Sequence, residues 1–385
     1  MRRFHRLGGV RTVFLLLVLG AAISAVVYRS TVSAQARTVG VLALTGRVPV
    51  LAWATRGLTD APRVQQDAVV AGVPTSIYRP GSGDRWPALV FLNGVTARGR
   101  RHPDVERLAS ALARVGFLVL VPDPPGLAEG EITERTLAGT IGVVRAAADR
   151  SDAAGGRVGL VGVSVGASLG LLAAEQPALA GRITLVAGIA PYADLPNVAR
   201  LATTGEILEH GRLVPYAAES FLPLVIARSF VSALPPSADR SRLLAELLEL
   251  HEGSPDPLAL FRRLKPADVA PSARALVELL ANRDPARFDR LYGRLSPELR
   301  ASILRLSPLA GAERLRVPVE IASAPHDKYF PFSETRALAE AATHAKVQLT
   351  VTSTLHHAIP SLSLSDLADL FRFDGWAVRS LRGLG

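Results

Sequence analysis

The chain has 385 residues, of which 49% are hydrophobic and 20% are charged. That share of apolar residues supplies a sizeable core and excludes a mainly disordered chain. The absence of cysteine excludes disulfide bonds, zinc–thiolate sites, iron–sulfur clusters and a cysteine nucleophile.

The net charge of +10 is concentrated near the N-terminus. Eight arginines and no acidic residue precede Asp60, which leaves a net charge of only +2 for the remaining 326 residues. The body of the chain is therefore nearly neutral, and it contains no basic block interleaved with aromatic residues. This charge distribution gives no reason to expect a nucleic-acid partner.

An uncharged, largely apolar segment from Thr12 to Tyr28 follows arginines at positions 2, 3, 6 and 11. This pattern is typical of signal peptides and of N-terminal membrane anchors. At 1.5 Å per residue the segment spans about 22–26 Å, short of the roughly 30 Å hydrocarbon core, so its length suits either. We predict that residues 1–36 anchor the chain by a single span, with the catalytic domain extracytoplasmic. The alternative is secretion after cleavage near Ala36, because residues 34–36 (Ala-Gln-Ala) match an A-x-A site.

Residues 37–66 are predicted to be a connector, because Gly46 and Pro49 interrupt their apolar stretches. From about residue 67, apolar runs of strand length alternate with segments of helical periodicity. Such alternation predicts a parallel sheet with helices on both faces. Up to residue 189 the predicted strands are two within 67–79 and one each at 87–92, 117–121, 157–163 and 183–189, and the predicted helices are at 104–115, at 131–150 and from 167.

The alternation stops at residues 192–310, which show only helical periodicity with proline-rich breaks. It returns with a predicted strand at 317–323, a helix at 333–342, a strand at 347–352 and a last helix at 363–384. We therefore predict one α/β domain at 67–385 with a helical cap insertion at about 192–310, rather than two consecutive domains.

The sequence Gly162-Val163-Ser164-Val165-Gly166 matches the pattern G-x-S-x-G. The pattern alone is weak, but here it follows a predicted buried strand and opens a helix. A sharp strand-to-helix turn would place Ser164 at the carboxyl edge of the sheet, where open α/β sheets carry their sites. The alternative interpretation is a turn of small residues that only allows close packing of the helix.

A serine nucleophile needs a base, and the base needs an acid that orients it. Asp327 follows the predicted strand at 317–323, and His356 and His357 follow the last predicted strand. The order Ser, Asp, His is the one expected after such a turn. We prefer His357 to His356 as the base because Ala358 and an apolar residue follow it, and in part because of the resemblance described next. Asp327 could alternatively be a turn or helix-cap carboxylate.

These segments resemble the α/β-hydrolase family over about residues 65–385, and in particular its dienelactone-hydrolase-like and prolyl-oligopeptidase-like members. The resemblance rests on the loop Asn93-Gly94-Val95, the strand end Val121-Pro122-Asp123, the G-x-S-x-G turn, the insertion and the later Asp and His loops. It implies a mostly parallel central sheet with helices on both faces and a helical cap. Two departures are clear. Dienelactone hydrolases proper use a cysteine nucleophile, and the family often has His-Gly where this chain has Asn93-Gly94.

The turn geometry makes the amide of Val165 one donor of an oxyanion hole, and the resemblance implies the amide of Val95 as the second. It also implies a structural role for Asp123. The predicted reaction is hydrolysis of a small-molecule or lipid-like carboxylic ester through an acyl-enzyme on Ser164, with no cofactor and no metal. The insertion would shape the acyl or alcohol pocket. Acyl transfer and peptide hydrolysis by the same residues remain open, as does a non-catalytic, exported binding module of this fold.

Overall fold

The computed structural model describes residues 29–46, 49–356, 359–360 and 367–385. These residues form twelve strands. Their bounds are β1 Arg63–Val70, β2 Val73–Arg79, β3 Trp86–Leu92, β4 Leu118–Pro122, β5 Ala153–Val163, β6 Ile183–Ile189, β7 Glu206–Glu209, β8 Arg212–Pro215, β9 Val319–Ser323, β10 Val347–Val351, β11 Leu355–His356 and β12 Ile359–Pro360.

Eight of these strands form one central sheet in the order β1-β2-β4-β3-β5-β6-β9-β10. Strand β2 is antiparallel to both β1 and β4, and the other neighbouring pairs are parallel. The inner strands are nearly continuous apolar runs, and every residue of β4 is buried. Strands covered by helices on both faces require such runs. The predicted mostly parallel sheet is confirmed.

Fifteen α-helices are present in the described ranges. Helices α1, α3 and α15 bury their apolar side chains on one face of the sheet, and α4, α5 and α6 bury theirs on the other. Their bounds are α1 Arg29–Thr45, α2 Pro49–Leu58, α3 Pro103–Arg114, α4 Glu134–Ala148, α5 Val165–Ala174, α6 Leu195–Thr204, α7 Phe221–Ser232, α8 Ala238–Leu248, α9 Ala259–Arg263, α10 Pro271–Leu280, α11 Phe288–Gly293, α12 Pro297–Arg305, α13 Pro308–Gly311, α14 Phe332–Ala341 and α15 Leu367–Leu384.

Helix α1 is part of the packed domain. It contacts α3 and α15, and its Ala34 and Leu44 side chains are buried. The side chain of Gln35 donates a hydrogen bond to Asp374 of α15 at 3.1 Å. The predicted cleavage site at residues 34–36 therefore lies inside a packed helix. The described part of residues 37–66, expected to be a connector, includes the second half of α1, helix α2 and the start of β1.

The predicted membrane anchor requires a correction. Among the residues that the structure describes, no helix is both long enough and apolar enough to cross a membrane. This finding contradicts the anchored localisation predicted from the sequence. The segment Thr12–Tyr28, on which that prediction was based, lies outside the described residues.

The chain between β6 and β9 contains α6 to α13 and also a short hairpin that the helical periodicity did not predict. Strands β7 and β8 pair antiparallel, and His210 and Gly211 join them. Both residues have positive φ, 48° and 78°. Two such residues in succession are what a tight two-residue hairpin turn needs. His-Gly is not one of the pairs, such as Asn-Gly or Asp-Gly, that mark such a turn, so the sequence carried little signal for it.

Candidate active site

Ser164 lies at the turn between β5 and α5. Its φ of 54° and ψ of −126° form a backbone conformation that residues with a side chain rarely adopt. Its amide donates to the carbonyl of Ile189 in β6 at 2.7 Å, and its carbonyl accepts from the amide of Ala167 at 2.9 Å. A serine held in this strained conformation by the next strand and by the following helix is typical of a nucleophile elbow. Its role as the nucleophile stays a prediction.

The two glycines of the motif allow the backbone to approach closely. A Cβ atom on Gly162 would lie 2.6 Å from the amide nitrogen of Ala167, and one on Gly166 would lie 2.1 Å from the carbonyl oxygen of Leu92. Both obstacles are backbone atoms, which cannot rotate away as a side chain can. Residues without a Cβ at these positions let α5 start directly against the ends of β3 and β5.

The loop after β3 passes beside Ser164. A Cβ atom on Gly94 would lie 3.2 Å from the Ser164 Cβ and 3.8 Å from its Oγ. The buried side chain of Asn93 donates to the carbonyl of Gly94 at 2.9 Å and so restrains this loop. Asn93, which departs from the family's usual histidine, thus contacts the loop backbone.

The two predicted oxyanion donors are the amides of Val95 and Val165. Val95 directly follows Gly94, and its amide donates no hydrogen bond to any described residue. Val165 is the first residue of α5, so its amide has no acceptor within that helix. The helix N-terminus also carries a partial positive charge. Both amides can therefore donate to an incoming oxygen, and their catalytic role stays a prediction.

Asp327 lies in the loop after β9 and is 3% exposed. Its Oδ1 accepts hydrogen bonds from the amides of Tyr329 at 2.9 Å and Phe330 at 3.1 Å. Strand β9 lies two positions from β5 in the sheet, with β6 between them. Two inter-strand spacings amount to about 10 Å. The acid and Ser164 thus leave the same edge of the sheet, two strands apart.

The predicted base, His357, lies outside the described residues. The chain approaches it from the end of β10, the parallel neighbour of β9, where the amide of Thr352 donates to the carbonyl of Ser323 at 3.1 Å. Leu355 and His356 then form β11, which pairs with β12. A base on this segment starts from the same edge of the sheet as Ser164 and Asp327. The choice of His357 over His356 stays a prediction.

Asp123, another carboxylate at this edge, is bound by Arg100. Its Oδ1 accepts from the Arg100 amide at 2.7 Å, and its Oδ2 pairs with the Arg100 guanidinium. A Cβ atom on Gly99, whose φ is 48°, would lie 2.2 Å from the Asp123 Oδ1. Asp123 therefore holds the chain that follows the Gly94 loop, in keeping with the structural role that the resemblance implied.

Arg228 of α7 is a buried cation that the sequence analysis did not single out. Its guanidinium donates to the carbonyls of Leu247 at 2.9 Å, Leu250 at 2.8 Å and Glu129 at 2.7 Å. Burial lowers its pKa. Its Nη1 lies 3.1 Å from the point where a Cβ of Gly130 would be, and the Val95 side chain lies 3.5 Å from that same point. The insertion thus reaches the backbone around Gly130, which the Val95 side chain also borders. The signal was present, since Arg228 is the one charged residue of α7.

Glu334 of α14 joins the helix after the acid loop (residues 327–330, which carry Asp327) to the segment after β6. Its carboxylate accepts hydrogen bonds from the amides of Ala193 at 2.9 Å and Asp194 at 2.7 Å and from the side chain of Asn197 at 3.0 Å. Burial raises the pKa of Glu334 to about 7 and that of Asp194 to about 6. These hydrogen bonds link the helix after the acid loop to the segment that follows Ile189. The carbonyl of Ile189 is the acceptor of the Ser164 amide.

A family model described as the alpha/beta hydrolase family matches residues 89–341, about two thirds of the chain. The chain belongs to the alpha/beta hydrolase family. The match begins in β3 and ends with α14, so it includes the elbow and the acid loop of this hydrolase. A search of curated proteins found no match to the chain.

Solved structures of this fold resemble the hydrolase at low sequence identity. Acylaminoacyl peptidase from Pyrococcus horikoshii is 12% identical with a TM-score of 0.44, and the match covers 76% of this chain but 37% of the peptidase. Est1E from Butyrivibrio proteoclasticus is 12% identical with a TM-score of 0.43, covering 83% of this chain and 99% of Est1E. The esterase Est2 from Thermogutta terrifontis is 15% identical with a TM-score of 0.43, and the match covers 82% of this chain and 89% of Est2. Likeness at this level says nothing about substrate.

Proposed function

We propose that the protein is a serine hydrolase that cleaves a carboxylic ester through an acyl-enzyme on Ser164. The observation that carries the proposal is the strained conformation of Ser164, with the Gly94 loop packed beside its Oγ and the buried Asp327 at the same sheet edge. Membership of the alpha/beta hydrolase family supports hydrolysis in general. The choice of an ester as substrate, of His357 as the base and of two amides as oxyanion donors goes beyond what family membership supports.

In the proposed mechanism His357, oriented by Asp327, takes the proton of the Ser164 hydroxyl as its Oγ bonds to the ester carbonyl carbon. The amides of Val95 and Val165 bind the resulting oxyanion. The protonated histidine then gives its proton to the alcohol oxygen as the carbon–oxygen bond breaks. A water molecule, deprotonated by the same histidine, attacks the acyl-enzyme, and Ser164 regains its proton as the acid leaves.

An ester is the proposed substrate because an alcohol leaves more readily than an amine. Aromatic rings beside the acid loop supply apolar surface for such a molecule. The half-buried rings of Phe221 and Tyr329 lie 6.5 Å apart, edge to face. Apolar lining of this kind favours substrates with an apolar acyl or alcohol group.

The proposal is tested by treating the full chain with a fluorophosphonate probe and with short p-nitrophenyl esters. We expect labelling and turnover by the wild type, no labelling of Ser164→Ala, and a loss of about 10⁴–10⁶ in rate for Ser164→Ala or for removal of the true base. Two control variants should keep activity. Ser168→Ala changes a buried serine of α5, the helix that follows Ser164, and His344→Ala changes an exposed histidine.

His356→Ala and His357→Ala, assayed side by side, identify the base. Peptide p-nitroanilides and added alcohols in the same assays test for peptide hydrolysis and acyl transfer. A folded wild type that is neither labelled nor active would refute the proposal and favour a non-catalytic binding module of this fold.

A further inference from the structure

A segment of the insertion holds the acid loop. The hydroxyl of Tyr216, which follows β8, donates to the backbone carbonyl of Asp327. The amide of Glu219 donates to the carbonyl of Lys328 at 2.9 Å, and their side chains form an ion pair at 3.1 Å. Consecutive residues of the acid loop are therefore bound by one short stretch of the insertion.

Tyr329, the third residue of the acid loop, contacts two separate parts of the insertion. Its ring packs edge to face on Phe221 of α7 at a centroid distance of 6.5 Å. Its hydroxyl donates to the carboxylate of Glu252, between α8 and α9, at 3.2 Å. The insertion thus contacts the loop through backbone, charged and aromatic groups together.

These contacts act on the carboxylate of Asp327 through the backbone. The Asp327 Oδ1 is bound by the amides of Tyr329 and Phe330, so the shape of the loop sets the direction of the carboxylate. Burial raises the pKa of Tyr216 to about 12, so its hydroxyl remains a donor throughout the pH range of ordinary assays. The charged groups that face the loop are Glu209 of β7, Glu219 and Glu252, and the loop itself carries Lys328 beside Asp327.

We infer that Tyr216 is a positioning residue for Asp327, through which the insertion holds the acid in the orientation that activates the base. This inference rests on the proposed catalytic role of Asp327. The insertion then has a second task besides shaping the substrate pocket, because displacing it from the acid loop would also switch off the nucleophile.

The test compares Tyr216→Phe with Tyr292→Phe in the full chain. Both changes remove only a hydroxyl from a tyrosine of the insertion, and the Tyr292 hydroxyl has no hydrogen-bond partner among the described residues. We expect Tyr216→Phe to lower kcat with p-nitrophenyl esters roughly tenfold at little change in KM. A carboxylate partner raises the pKa of its histidine, so the acidic limb of the kcat/KM profile should also move to lower pH. Tyr292→Phe should match the wild type.

A double-mutant cycle separates positioning from general loss of structure. If Tyr216 acts through Asp327, Tyr216→Phe should cause no further loss in an Asp327→Asn background. The inference is overturned if the tenfold loss persists in that background, or if Tyr216→Phe keeps the wild-type kcat and pH profile. Fluorophosphonate labelling of the wild type reports on the proposed function separately, because it requires an activated Ser164 whether or not Tyr216 matters.

Discussion

The nucleophile elbow and the acid loop lie at the same edge of the sheet but are held in different ways. The elbow is fixed by its own backbone, through the Ser164 carbonyl and amide and through two glycines that admit no Cβ. The acid loop is bound by side chains from the insertion, including Tyr216, which lies 111 residues earlier in the chain. The nucleophile is thus held by backbone contacts with strands of the central sheet, whereas the orientation of its acid also depends on residues of the insertion.

The strongest test of the comparison is Gly166→Ala. The added methyl would meet the Leu92 carbonyl at 2.1 Å, so the backbone must move. We expect a loss of about 3–5 kcal/mol in the free energy of unfolding, with loss of fluorophosphonate labelling, measured by denaturant unfolding and by probe incorporation. Gly293→Ala, where a Cβ would meet nothing within 4 Å, is the control and should change stability by less than about 0.5 kcal/mol. Equal effects of the two changes would mean that the elbow is not sterically fixed.

A smaller effect is expected from Arg228→Lys on the insertion side. Lysine keeps the charge but lacks the forked donors that bind the carbonyls of Glu129, Leu247 and Leu250. We expect a loss of about 2–4 kcal/mol in the free energy of unfolding. Ester turnover should also slow, because Arg228 and the Val95 side chain both border Gly130. Arg294→Lys, in an exposed ion pair with Glu278, should cost less than about 1 kcal/mol. Unchanged stability of Arg228→Lys would show that the insertion is held elsewhere.

The smallest expected effect concerns pH and the far end of the nucleophile helix. Glu175, directly after α5, is buried beside Gly311, and burial raises its pKa to about 8 although Arg314 pairs with it. In the folded state the Glu175 carboxyl therefore keeps its proton up to about pH 8, whereas in the unfolded chain it loses the proton near its ordinary pKa of 4.5. The free energy of unfolding should fall as pH rises between these values, by about 2 kcal/mol from pH 6.5 to 8.

Glu175→Gln cannot ionise, so its unfolding free energy should fall less steeply over that pH interval. Thermal or denaturant melts of both proteins at pH 6.5 and 8 measure the difference. Parallel pH dependence of the two proteins would show that Glu175 titrates normally. The C-terminal end of α5 would then hold the ionised Glu175 carboxylate without loss of stability.

The sheet and the elbow were predictable because their signals are local. Inner strands appear in the sequence as apolar runs. At positions 162 and 166 a Cβ would collide with backbone atoms, so glycine there indicates a tight turn. The contacts of Tyr216 with Asp327 and of Arg228 with Glu129 were not predictable, because these partners lie 111 and 99 residues away in the chain. Helix α1 was missed for another reason. Its buried face mixes small residues such as Ala34 and Ala43 with the larger Leu44, so its apolar periodicity is weak.

The packing of α1 has a practical consequence for producing the protein. Val41 and Leu44 pack in one apolar cluster with residues of α3 and α15. A shortened chain that starts after residue 45 would expose the rest of that cluster to water and would be prone to precipitate during expression. Versions made for crystallisation or assay should therefore keep residues 29–45, even where the preceding residues are removed.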